Sequence, residues 1–135
     1  MTAIELITRH EGLSLKPYLC PANKLSIGVG RNLEDNGISE EEALFMLGTD
    51  IARVIEELNT LNFSMYLNDA RRTAMIDMLF NLGLTRFLKF RLMIGALENK
   101  DWNEAARQML DSNWATQVGA RAEELATIIK TGNLE

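Results

Sequence analysis

The stretch His10 to Arg31, HEGLSLKPYLCPANKLSIGVGR, decides how the chain is read. It opens on Glu11, an acid followed at once by Gly12. Leu13, Leu15, Pro17 and Tyr18 lead to Cys20-Pro21, which mark a turn. Leu25 to Gly30 (LSIGVG) then reads as a short strand with two glycines on one face. A glycine within a strand weakens it and often marks close approach of a ligand or another backbone. An acid, a thiol and a hydroxyl (Glu11, Cys20, Ser26) therefore fall on one helix end and one small hairpin.

Working outward, Thr2-Ala3-Ile4-Glu5 is a capping box that starts a helix over about 3–10, ended near Gly12. After the hairpin, Asn32 to Gly37 reads as a polar, turn-rich link. Ser39-Glu40-Glu41-Glu42 is a second capping box, with acids where the helix dipole favours them. The helix it opens runs to Leu58, long enough to join two lobes. Beyond Leu67 the pattern is helix after helix. Asn68 or Asp69 caps one that Gly83 stops; it is apolar on most sides and predicts a buried centre. Thr85 is read as the cap of a helix reaching Leu97. Asp101 opens another, Ser112 to Thr116 is a short turn or helix around Trp114, and a last helix spans Gly119 to Lys130 before Gly132.

The 135 residues suit one domain, and the net charge of −5 supplies no basic footprint for nucleic acid. One cysteine cannot form an internal disulfide, so folding in a reducing cytoplasm is expected. The first residues lack the basic start and apolar run of a signal peptide, and no segment approaches the ~20 apolar residues of a membrane span.

Each candidate has a bland reading beside its chemical one. Glu11 sits at the negative end of a helix dipole, which disfavours its charge and suits a general acid, but surface glutamates are common. Cys20 reads as a small buried residue, a nucleophile or a ligand; with His10 the only histidine, zinc is disfavoured. Gly28-Val29-Gly30 lacks the third glycine of a dinucleotide site. Arg71-Arg72 and Arg86-Lys89-Arg91 read as solvated faces.

The spacing Glu11, eight residues, Cys20, five residues, Ser26 resembles the Glu–Asp/Cys–Thr triad of the phage-type lysozymes, glycoside hydrolase family 24. Flanking text agrees: EGL…KPY and IGVGR, then ARRTAMIDMLFNLG, DWNEAA, SNW and GAR resemble the corresponding family segments in order. The resemblance implies an α+β, mostly α, lysozyme-like fold. Its lobes would cover about 12–38 and 60–135, joined by helix 39–58, with helix 1–11 packed on the C-terminal lobe. It also implies hydrolysis of the β-1,4 bond between N-acetylmuramic acid and N-acetylglucosamine in bacterial peptidoglycan. Glu11 would be the acid, Cys20 and Ser26 would position the water, and Phe80, Asn81 and Arg121 would contact substrate, with Arg121 matched to Glu11.

Against the family pattern, Cys20 replaces the commoner aspartate, Ser26 replaces threonine, and Arg31 replaces a histidine whose partner maps to Asp50, predicting an Arg31–Asp50 pair. The segment between Arg31 and Ser39 is short, predicting a trimmed small lobe. The implied protein is an endolysin that works as a monomer. It needs no cofactor or metal, binds no nucleic acid and does not insert stably in a membrane. It would be made in the host cytoplasm and released by another factor to periplasmic peptidoglycan. The competing expectations are a lysozyme-fold binding protein with little turnover, and a cysteine hydrolase.

Overall fold

The computed structural model describes residues 1–135 as two compact units, 1–46 and 47–135. In the first, helix α1 (Ala3–Glu11) begins at the Thr2–Glu5 capping box, with both reciprocal hydrogen bonds made, and stops at Gly12. Strands β1 (Ser14–Leu19), β2 (Leu25–Gly28) and β3 (Arg31–Asn32) follow. They form an antiparallel sheet in the order β1-β2-β3, with β2 central. The small sheet thus has a third strand beyond the expected hairpin.

The link expected over Asn32 to Gly37 is a one-turn helix, α2 (Leu33–Asn36). The Asn32 side chain caps it by accepting from the Asp35 amide. A single turn is too short to show a hydrophobic period, so only its cap could have signalled it.

Helix α3 (Glu40–Asn59) starts at Ser39, whose hydroxyl accepts from the Glu42 amide while Glu42 accepts from the Ser39 amide. This is the second capping box. The boundary between the units falls within α3.

The second unit is helical: a 3-10 turn (Asn62–Tyr66), then α4 (Asp69–Leu82), α5 (Leu84–Phe87), α6 (Arg91–Glu98), α7 (Trp102–Leu110), α8 (Asn113–Val118) and α9 (Ala120–Thr131). Asn68, Asp101 and Ser112 each cap the following helix by accepting from its third amide. Helix α4 contributes Ala74, Met75, Met78, Leu79 and Leu82 to the core, as its all-round apolar pattern predicts. Phe63 and Phe87 stack within that core at 6.3 Å between ring centroids. The helix expected from Thr85 to Leu97 is two helices, broken at Leu88–Phe90, and Thr85 lies inside the first.

Candidate functional site

In the first unit, Glu11 is the last residue of α1 and is exposed. Within that unit its carboxyl accepts no hydrogen bond and forms no ion pair. It lies over the backbone of Gly30, where a Cβ would stand 2.8 Å from Glu11 Oε2 and 3.0 Å from Cδ. Gly30 also has φ +68°, a conformation that side chains other than glycine rarely adopt. Gly30, the second glycine of the LSIGVG run, therefore seats the Glu11 carboxyl. Gly30→Ala should cost about 1 kcal/mol of stability, because it both strains the turn and pushes the Glu11 carboxyl away. A urea midpoint equal to that of the wild type would contradict this.

Cys20 and Ser26 are joined by the turn between β1 and β2. The Cys20 amide donates to Lys24 O at 2.9 Å, and the Asn23 amide donates back to Cys20 O at 2.7 Å. Asn23 closes the turn with φ 63°, which asparagine tolerates better than most residues. The Cys20 thiol is half-buried. The Lys24 amide aimed at it holds its pKa below the ordinary 9.0, and the Ala22 amide and Ser26 hydroxyl act in the same direction against some desolvation. Ser26 sits on the central strand between Tyr18 and Asn32 and is 1% exposed, the only buried polar residue. Its hydroxyl donates to Lys24 O at 3.1 Å. Ser26 therefore acts on the turn and the thiol it carries.

Arg31 is held by Glu42, with Nη1–Oε1 at 3.0 Å and Nη2–Oε2 at 2.8 Å, and Nη1 also donates to Gly37 O. Asp50 instead pairs with Arg53, one turn along the same helix. The expected Arg31–Asp50 pair is thus replaced by two pairs, each within its own unit. The capping-box position of Glu42 explains the choice: the box already fixes its carboxylate at the start of α3, where a forked guanidinium can meet both oxygens.

The Arg31 guanidinium, with the Ser39 amide and hydroxyl, lowers the Glu42 carboxyl from 4.5 to about 2. Because the folded value is depressed, this stabilisation is complete above 4.5 and is lost as pH falls through about 2. The amide signals of Ser39 and Gly37 should therefore shift only well below the ordinary carboxylate range. A midpoint near 4.5 would show that Glu42 is not paired in solution.

In the second unit, an open groove of about 310 Å³ is lined by Leu47, Ile51, Ile76, Phe80, Asp77 and Arg121 among others. Phe80 is 42% exposed there, so it is a surface residue on a buried helix rather than core. Arg121 Nε and Nη2 both reach Asp77 Oδ1, at 2.8 and 2.7 Å. Asp77 is a groove residue that reading the sequence missed; its position one turn before Phe80 on α4 was the only signal. Asn81 Oδ1 accepts from Trp114 Nε1 at 2.7 Å, which ties α4 to α8 and commits the carbonyl side of that amide. No group of three or more His, Cys, Asp or Glu side chains is placed to hold a metal ion. No helix is long and apolar enough to cross a membrane.

The model of the family described as phage lysozyme matches residues 8–129. The chain is 35% identical over 98 residues to a probable T4-type lysozyme of Dictyostelium discoideum, covering 71% of this chain and 58% of that protein. It is 30% identical to the pre-baseplate central spike protein of Enterobacteria phage T4, over 100% of this chain and 28% of that protein. An endolysin of Acyrthosiphon pisum secondary endosymbiont phage 1 is 32% identical over 96% of this chain and 89% of its own length. The chain thus spans little more than half of the slime-mould relative, just over a quarter of the spike, and most of the endolysin.

Proposed function

Because the chain belongs to the phage lysozyme family, we propose that it is a muramidase that hydrolyses the β-1,4 bond between N-acetylmuramic acid and N-acetylglucosamine in peptidoglycan. The observation that carries this reading is in the first unit: an unengaged carboxyl at the end of α1, and a thiol with lowered pKa on the β1–β2 turn. Cleavage of a glycoside passes through an oxocarbenium-like state. It needs a proton for the leaving oxygen and a polar group to guide water to the sugar. Glu11 supplies the proton. Cys20, which Lys24, Ala22 and Ser26 bias toward thiolate, takes the place of a carboxylate and orients the water. Ser26 is a positioning residue that holds Cys20.

Phe80, Asn81 and Arg121 contact substrate. The exposed ring of Phe80 can cover a sugar face, the Asn81 amide nitrogen keeps its donors, and Asp77 fixes the Arg121 guanidinium. In the cell, the enzyme acts on periplasmic peptidoglycan after another factor releases it from the host cytoplasm, and it works as a monomer.

Purified peptidoglycan incubated with the protein should gain new reducing ends ending in N-acetylmuramic acid. Binding to the sacculus without new reducing ends would favour the alternative, a lysozyme-fold binding protein. Thiol alkylation separates the two roles open to Cys20. Alkylation should abolish activity of the wild type and leave Cys20→Asp active. Loss of activity in Cys20→Asp as well would make the thiol a nucleophile.

A further inference from the structure

Where β3 ends, a side chain takes over its ladder. Asn32 and Arg31 pair with Ser26 and Ile27, so one more pair would set Leu33 opposite Leu25. Leu33 instead begins α2, and its carbonyl accepts from the Gly37 amide. The Leu25 amide donates to Glu34 Oε1 at 2.8 Å. A carboxylate acceptor makes this bond stronger than the carbonyl it replaces. A helix of one turn has little dipole for a first-turn acid to complement, so the bond to Leu25 is the main interaction of the Glu34 carboxylate.

The Leu25 N–H and the Lys24 C=O belong to one planar peptide unit and point in opposite directions. On its carbonyl side that unit accepts from the Cys20 amide at 2.9 Å and from the Ser26 hydroxyl at 3.1 Å. On its amide side Glu34 holds it. Rotation of the plane would break both carbonyl bonds and release the turn that carries Cys20. The same turn aims the Lys24 amide at the Cys20 thiol, which the Ala22 amide and the Ser26 hydroxyl also face. Asp35, beside Glu34, lies 3.5 Å from Lys24 Nζ, but that pair is exposed and adds little.

We propose that Glu34 is a positioning residue for Cys20: it holds the amide end of the Lys24–Leu25 peptide plane, whose carbonyl end fixes the Cys20 backbone and the Ser26 hydroxyl. This rests on the reading of Cys20 as the group that orients the water. Glu34 acts through the backbone and touches neither substrate nor thiol.

Three variants of the full chain separate the bond from the charge. Glu34→Gln loses the charge and keeps a carbonyl to accept from Leu25. Glu34→Asp keeps the charge and loses the reach, and Glu34→Ala loses both. Ala and Asp should each lower kcat on peptidoglycan about tenfold with KM within about twofold, whereas Gln should stay within about twofold of the wild type in both. The Cys20 Cβ carbon signal, followed against pH, gives the thiolate fraction without any cleavage. At neutral pH that fraction should fall about threefold in Ala and Asp and hold in Gln. Unmoved amide signals of Ser39 and Gly37 in each variant would show that the unit remains folded.

A glutamine variant as impaired as alanine, or an aspartate variant equal to the wild type, would overturn the proposal. So would a thiolate fraction that stays constant across all three. If the wild type cleaves nothing, the hydrolase reading falls, while the thiol titration still decides whether Glu34 positions Cys20. If the wild type cleaves and Glu34→Ala matches it in kcat and in titration, the positioning role falls alone.

Discussion

Glu11→Gln should lower the rate of peptidoglycan hydrolysis by roughly 10²–10⁴, the range that a positioned general acid contributes. The amide matches the carboxyl in shape and still fits over Gly30. It cannot deliver a proton to the glycosidic oxygen, and the leaving sugar would then depart as an alkoxide. Binding should be nearly unchanged, because the substitution keeps the polar atoms that contact substrate. The loss should therefore fall on kcat and not on KM. Stability should change little, since the Glu11 carboxyl makes no hydrogen bond within its unit. A variant that clears a suspension of peptidoglycan-exposed cells as fast as the wild type would remove Glu11 from the mechanism.

The largest effect on stability should come from Phe87→Ala, at about 3–5 kcal/mol, the usual loss for truncating a fully buried aromatic ring. Phe87 has no exposed surface and stacks on Phe63, itself 1% exposed, so neither ring can move to fill the space. Helix α5 is only one turn long and cannot compensate by shifting along its axis without breaking the Phe87 amide's bond to Gly83 O. Both tryptophans of the chain lie in the helical unit, so their fluorescence in urea reports its unfolding directly. Phe80→Ala makes the contrast. That ring is 42% exposed, and its loss should cost under about 1 kcal/mol while raising KM. A urea midpoint shifted equally by both substitutions would contradict the division between core ring and substrate ring.

How much of this could be read before any coordinates varies with the range of the interaction. Helix starts were legible because a cap is a local signal: Thr2 with Glu5, Ser39 with Glu42, and Asn68 and Asp101 all bond within three residues. The stops at Gly12, Gly83 and Gly132 were legible for the same reason, each glycine carrying a positive φ at a helix end. Of the two glycines of LSIGVG, only Gly30, in the turn after β2, has a close neighbour, the Glu11 side chain; nothing approaches Gly28.

What escaped was long-range or too short to have a period. The one-turn helix α2 and the break at Leu88–Phe90 show no repeat to count. The family mapping pairs Arg31 with Asp50, whereas the capping-box geometry of Glu42 makes it the partner Arg31 takes. Nothing local distinguishes Asp77 as the partner of Arg121, 44 residues away. The resemblance gives Ser26 a role in positioning the water, and only the sheet order, with β2 in the middle, explains why it is buried.

The most direct test of the whole account is digestion of purified peptidoglycan in heavy-oxygen water, followed by mass spectrometry of the released muropeptides. Hydrolysis guided by Cys20 and initiated by Glu11 predicts one heavy oxygen on the anomeric carbon of a terminal N-acetylmuramic acid. Products that lack the label and end in an anhydro sugar, or that carry it on N-acetylglucosamine, would contradict the account.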